Sequence, residues 1–189
     1  MKKIYFRILV VVLGVSCAWN TAQAESNEMI LRCVAFYNLE NLFDTIHDEG
    51  KNDYEYLPDG GMKWTSFKYE QKIQNMAYAI SQLGTDEDPR GAACVGVSEV
   101  ENIGCLHDLC RELKEKHNRV YEPILLEGPD RRGVDVGFLY NPNMFKPVSV
   151  KGYELHAHYA DGGVVRSRLQ LWVSGYMLDD DRKIVRDKL

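Results

Sequence analysis

Three short stretches of this chain combine residue types that handle hard cations and phosphate. Asn38-Leu39-Glu40-Asn41 sets a carboxylate among amides directly after an apolar run, and Ser98-Glu99-Val100-Glu101-Asn102 repeats the arrangement. A carboxylate with an amide oxygen nearby suits an oxygen-seeking ion such as Mg²⁺, which polarises a phosphoryl oxygen and helps activate water. The third stretch, Gly128-Pro129-Asp130-Arg131-Arg132-Gly133-Val134-Asp135-Val136, puts two adjacent arginines in a turn. Such a pair grips phosphate oxygens through charge-assisted, bidentate bonds. Each stretch also has a plainer reading. Acids at strand ends are usually solvated, and Arg131 and Arg132 fit an exposed hairpin turn. Asp135 interrupts an apolar strand, so it lies either on a solvent face or in the interior beside an arginine.

The elements that must position these residues follow from hydrophobic periodicity. Met29 to Tyr37 reads as a buried strand delivering the Asn38 cluster. Asp44 to Lys63 is a polar loop rich in turn formers, long enough to suggest function or mobility. Tyr69, Ile73, Met76, Ile80 and Leu83 recur at helical spacing between a Thr65 cap and Gly84, a core stripe rather than a cofactor site. Ala92 to Ser98 reads as a second buried strand, with Glu99 at its carboxyl end. Ile103, Leu106, Leu109, Cys110 and Leu113 mark a second helix ending near His117-Asn118. From Tyr121 the period shortens, and Glu122 to Glu127, Val134 to Tyr140, Pro147 to Leu155 and Arg168 to Tyr176 read as strands. Strand, helix, strand, helix and then mostly strands specify an α/β protein with a mixed sheet. Ligands of open α/β sheets bind outside the carboxyl ends of strands, where Glu40 and Glu99 fall.

Composition narrows the function classes. Hydrophobic residues at 45% and charged ones at 27% exclude disorder as the default. Lys2, Lys3 and Arg7, the apolar run Ile8 to Val15, and Ala22-Gln23-Ala24 form an export leader cleaved after Ala24. The apolar run is too short for a permanent span. A lipoprotein route through Cys17 fits less well, because the preceding leucine sits one place too far away. Loss of the leader takes the net charge from −5 to −8, so the expected destination is periplasmic or extracellular and general attraction to nucleic acid is absent. Cys33, Cys94, Cys105 and Cys110 remain, either buried or paired. With no C-x2-C pair, a zinc site is not expected.

Together these segments resemble the endonuclease/exonuclease/phosphatase family, with its DNase-I-like fold. The resemblance rests on Phe36-Tyr37-Asn38-Leu39-Glu40-Asn41-Leu42-Phe43-Asp44, on Val97-Ser98-Glu99-Val100-Glu101-Asn102, and on Asp130-Arg131-Arg132-Gly133-Val134-Asp135-Val136-Gly137-Phe138-Leu139-Tyr140. These stand in the family's order and span roughly Ile30 to Gly175.

The resemblance implies part of a four-layer α/β/β/α sandwich with helices on the outer face of a mixed sheet. It implies Mg²⁺ or Mn²⁺, with Glu99 as principal ligand, Glu40 supporting from close by and Asn38 contacting the metal or the scissile phosphate. Asn38 and Glu99 would be catalytic. Arg131 and Arg132 would bind substrate, a nucleic acid or a small phosphoester, and Trp64 and Thr65 would be structural. The family hydrolyses phosphoesters by in-line attack of water, assisted by a histidine–aspartate pair. Members cut nucleic acids, dephosphorylate inositol lipids or cleave sphingomyelin. This sequence departs from the pattern: the Asn-His-Trp-type segment, the Asp-x-Asn pair and the closing Asp-His pair are missing. His47, His107, His117, His156 and His158 stand in other contexts, His156 and His158 as surface residues. The expectation is an N-terminal, truncated portion of the family domain over residues 25–189 that is catalytically inactive and poorly stable.

Overall fold

The computed structural model describes residues 30–165 and 167–185. The expected leader, Met1 to Ala24 with Cys17, lies outside the described residues. Strand β1 (Val34–Leu42) runs parallel to β2 (Cys94–Val100), which pairs antiparallel with β4 (Asp135–Tyr140), itself antiparallel to β3 (Glu122–Leu125). The sheet order is β1-β2-β4-β3, mixed as expected. Helix α1 (Ser66–Gln82) lies in the crossover that a parallel β1–β2 pair needs, and α2 (Ile103–His117) connects β2 to β3.

Alternation along the strands splits the sheet into two faces. Ile73, Ala77 and Ile80 of α1 and Leu106, Leu109 and Leu113 of α2 pack on Val95, Val97, Leu39 and Leu139, all buried. A β-carbon on Gly137 would meet Leu106 Cδ1 at 2.7 Å, so the close approach of α2 requires glycine there. On the other face an antiparallel pair of β5 (Phe145–Tyr153) and β8 (Gln170–Met177) packs through Phe145, Val173 and Met177 on Phe138 and Tyr140. The described layers are therefore helices, sheet and a two-stranded ribbon, an α/β arrangement with the helices outside.

Both helices end where the sequence places the stop signals. Gly84 follows α1 with φ +72°, and Asn118 caps α2 in the left-handed region at φ +53°. The Asn102 side chain accepts from Cys105 N at 3.0 Å and caps the start of α2. Thr65 stands at the N-cap of α1 with extended backbone but makes no side-chain capping bond.

Several strand boundaries differ from the sequence reading. Strand β1 begins later than Met29 and runs on through the Asn38 cluster to Leu42, and β2 includes Glu99 and Val100. Asp161-Gly162-Gly163 forms a turn as its residue types dictate, but two short strands that the sequence reading did not include flank it as a small hairpin, β6 (Ala157–His158) with β7 (Val164–Val165). Beyond β8 the charged segment makes one further bridge, Leu178 to Ile184. Cys33, Cys94, Cys105 and Cys110 are free thiols, all buried except the half-buried Cys33. Among the described residues no helix is long and apolar enough to cross a membrane.

Candidate functional site

Register carries the site residues to one end of the sheet. Asn38 faces Ser98 across the β1–β2 pair, and the next matched pair is Leu42 with Val100. Strand β2 bulges against β4 at the same level, between Ser98–Val136 and Val100–Asp135. The residues left over at these irregularities are Leu39 to Asn41 on β1 and Glu99 on β2. Glu40, Asn41 and Glu99 have φ of +51°, +60° and +62°. Left-handed backbone costs most non-glycine residues about 1–2 kcal/mol and asparagine less, so Glu40 and Glu99 at one level mark strain held by the surrounding structure. Bulges of this kind re-aim side chains and gather at active sites.

Local hydrogen bonds fix the turn. Asn38 Oδ1 accepts from Glu40 N at 2.7 Å. Lys72 of α1 donates from Nζ to the carbonyls of Glu40 and Asn41. Its ammonium lies 5.6 Å from the centre of the Trp64 ring, and Trp64 Nε1 donates to Phe43 O at 2.8 Å. Burial pushes the Lys72 pKa down, against the opposing charges of Glu40 and Glu99. One lysine thus feels both carboxylates.

Glu99 is half-buried, and its nearest cation is Arg168, with Nη2 at 3.7 Å from Oε1. Arg168 Nε also lies 3.9 Å from Asp130 Oδ2. These separations exceed a direct hydrogen bond, so the Glu99 oxygens keep lone pairs available. On the far side of Arg168, the turn after β3 presents Arg131 and Arg132, both exposed; Arg132 Nε is 3.7 Å from Asp130 Oδ1. Together with Asp130, Tyr159 and Val164 they line an open pocket of about 340 Å³. Burial pushes the Tyr56 phenol up, and the charges of Glu55, Arg132 and Glu99 act on it as well. The long loop is anchored across the site by Asn52 N, which donates to Arg131 O at 2.8 Å.

The structure therefore brings Asn38, Glu40 and Glu99 to one sheet end and sets Arg131 and Arg132 apart, beyond Arg168. Asp135 is resolved to the interior, but its partner is not an arginine: Oδ1 accepts from Gly128 N at 2.9 Å, and burial pushes its pKa up. This bond ties the arginine turn to β4. Arg168, Lys72 and Tyr56 were not among the residues singled out from the sequence. Arg168 reads there only as the start of a strand, and Lys72 as one polar position on a helix.

The family model described as the endonuclease/exonuclease/phosphatase family matches residues 33–187. The chain belongs to the endonuclease/exonuclease/phosphatase family. No curated protein and no solved structure matches it. Proteins of the endonuclease/exonuclease/phosphatase family are typically divalent-metal dependent, and membership supports a phosphoesterase- or nuclease-type activity on phosphoester substrates.

Two clusters can be weighed against a divalent ion. Asn38, Glu40 and Glu99 offer hard oxygen donors at an accessible strand end, with the Glu99 carboxylate making no close hydrogen bond among the described residues, which fits Mg²⁺ or Mn²⁺. Asp44, Glu101 and Cys105 also offer ligand atoms within 4.8 Å of one another, but their chemistry does not fit. Asp44 Oδ1 accepts from Ile46 N and Oδ2 from Asn102 Nδ2, while Glu101 Oε2 accepts from Asp44 N. Burial pushes Glu101 up to about 8 and Cys105 up to about 12, so near pH 7 both are held largely protonated. A coordinating cysteine must be a thiolate. This second group anchors the start of α2 to the end of β1.

The histidines lie elsewhere. His47 Nδ1 pairs with the buried Asp53 at 2.5 Å, and its ring stacks on Tyr54. Asp53 also accepts from Asp48 N, so the pair folds the long loop on itself. His107 and His117 are on α2, and His156 and His158 are exposed, His158 within β6 and His156 just before it. Among the described residues, no histidine is hydrogen-bonded or ion-paired to Asn38, Glu40 or Glu99.

Proposed function

We propose that this chain is an exported phosphoester-binding protein of the endonuclease/exonuclease/phosphatase type. In this reading Glu99, Glu40 and Asn38 hold a Mg²⁺ or Mn²⁺ ion, and Arg168, with Arg131 and Arg132 further out, holds phosphoryl oxygens. The observation that carries it is the shared level of the two bulges. Glu40, Asn41 and Glu99 all adopt left-handed backbone where β1 and β2 end side by side. Such strain is retained where geometry matters more than local stability.

When bound, the ion supplies charge neutralisation and polarisation at the phosphoryl group. Glu99 supplies the anchoring carboxylate. Asn38, fixed by the Glu40 amide, presents its side-chain amide at the same edge. Arg168 is already seated beside Glu99 and offers guanidinium donors to phosphate without leaving its place. The histidine positions support binding over turnover: proton transfer at the attacking water has no imidazole beside Glu99.

A short phosphodiester carrying a fluorescent label tests this, with Mg²⁺ present or chelated, alongside hydrolysis of bis(p-nitrophenyl) phosphate. The reading predicts Mg²⁺-dependent binding, lost in Glu99→Ala, with hydrolysis near background. Fast hydrolysis abolished by Glu99→Ala would keep the site and overturn the slow-turnover part. Binding indifferent to Mg²⁺ would overturn the site itself. Export rests on the leader-like segment before Glu25. Mass analysis of the mature protein should find Glu25 at its start, and retention of Met1 would contradict export by cleavage.

A further inference from the structure

The turn that carries Asn38 and Glu40 is gripped from outside the strand by one side chain of α1. Resting on the cation site proposed above, we infer that Lys72 is a positioning residue for that site, fixing the Glu40–Asn41 backbone and so the placement of the Asn38 and Glu40 oxygens. Of the two successive left-handed residues, Asn41 is of a type that tolerates that conformation and Glu40 is not, so Glu40 is the one that most needs support from outside the strand. The carbonyls of these two residues are the ones that Lys72 Nζ reaches, Glu40 O at 2.5 Å and Asn41 O at 3.4 Å.

Trp64 holds the other side of the same turn. Its indole N–H bonds Phe43 O, and its ring lies under the Lys72 ammonium, so helix entry and lysine act as one clamp on residues 40–43. Phe43 N bonding to Asn41 O at 3.1 Å, and Glu40 N bonding to Asn38 Oδ1, complete the turn inside that clamp. Groups in this supporting role orient the ligands of a metal without touching it.

The sign of the effect separates positioning from mere charge. A lysine that acted only as a nearby positive charge would oppose a cation, and its removal would tighten metal binding. A positioning lysine does the reverse. Mn²⁺ affinity, read by the electron paramagnetic resonance of free Mn²⁺, should weaken about tenfold in Lys72→Met, the scale for supporting partners of metal ligands. Lys72→Arg should recover most of the loss.

A second readout needs no metal. Hydrogen exchange at the Glu40 and Phe43 amides should accelerate in Lys72→Met, while Val95 and Leu139 stay as protected as in the parent chain. Unchanged exchange at residues 40–43, or Mn²⁺ binding that is equal or tighter, would overturn the inference. If the parent chain binds no Mn²⁺, the cation site fails and the exchange result alone decides the role of Lys72. Should Lys72→Met lose its fold by circular dichroism, Lys72→Gln is measured by the same two readouts, with the same outcomes decisive.

Discussion

Arg168 stands 3.7 Å from the Glu99 carboxylate, near enough to share its field and too far for a direct hydrogen bond. The pair joins the parallel part of the sheet to the segment that enters β8. It also places a guanidinium where a phosphoryl group bound through Glu99 would present its oxygens.

Removing that guanidinium should move the two ligands in opposite directions. Arg168→Ala should weaken phosphodiester binding by about tenfold or more, the loss of a charge-assisted contact. The same variant should bind Mn²⁺ equally well or more tightly, because a competing cation has gone. Parallel calorimetric titrations with phosphodiester and with Mn²⁺ check this. A joint loss of both would show that Arg168 maintains structure instead.

Glu101 makes stability depend on pH. Burial raises its carboxyl from the ordinary 4.5 to about 8 in the folded chain. The folded state therefore favours the protonated form: this contribution is complete below about 4.5, is lost as pH rises towards about 8, and is level above that. Glu101→Gln should remove the loss, up to about 1.4 kcal/mol per pH unit. Urea melts of both chains from pH 5 to 8.5 would show the variant gaining on the parent with rising pH. Parallel curves would contradict the assignment.

A network at the opposite end of the sheet should respond to acid. Asp88 bonds the Arg90 side chain through both oxygens, at 2.9 and 2.7 Å, and pairs with Arg32 at 3.1 Å. Asp180 in turn lies 2.8 Å from Arg32 and 2.9 Å from Arg90. Led by the Arg90 side-chain bonds, these contacts hold Asp88 at about 2, below the ordinary 3.8. Its contribution is present above about 3.8 and disappears as pH falls through about 2, worth of the order of 2 kcal/mol at neutral pH. Asp88→Asn should cost at least about that much at pH 7 and progressively less towards pH 2. Thermal melts across that range provide the check.

How far the residues alone revealed this architecture depended on the range of the forces involved. The stripe Tyr69, Ile73, Met76 and Ile80 is local, and so were both helix ends, because Gly84 and Asn118 supply left-handed stops by their own chemistry. The Asn38 cluster reads as a polar segment that follows a strand, because the apolar run stops there. In the fold it remains within β1, since the bulges are imposed by register with β2 and β4. The contact of Arg168 with Glu99 and that of Lys72 with Glu40 join residues far apart in sequence, and no periodicity encodes them. Asp135 showed an intermediate case: its interruption of an apolar strand announced a special role, while its partner, the Gly128 amide, emerged only from the turn geometry.

The account rests most directly on Glu99 as the anchor of a cation. A Mn²⁺ titration of the parent chain and of Glu99→Ala, followed by calorimetry at pH 7.5, tests it. One site per chain is predicted in the parent, weakened at least tenfold in the variant. Equal binding by both chains would place the cation elsewhere and contradict the account.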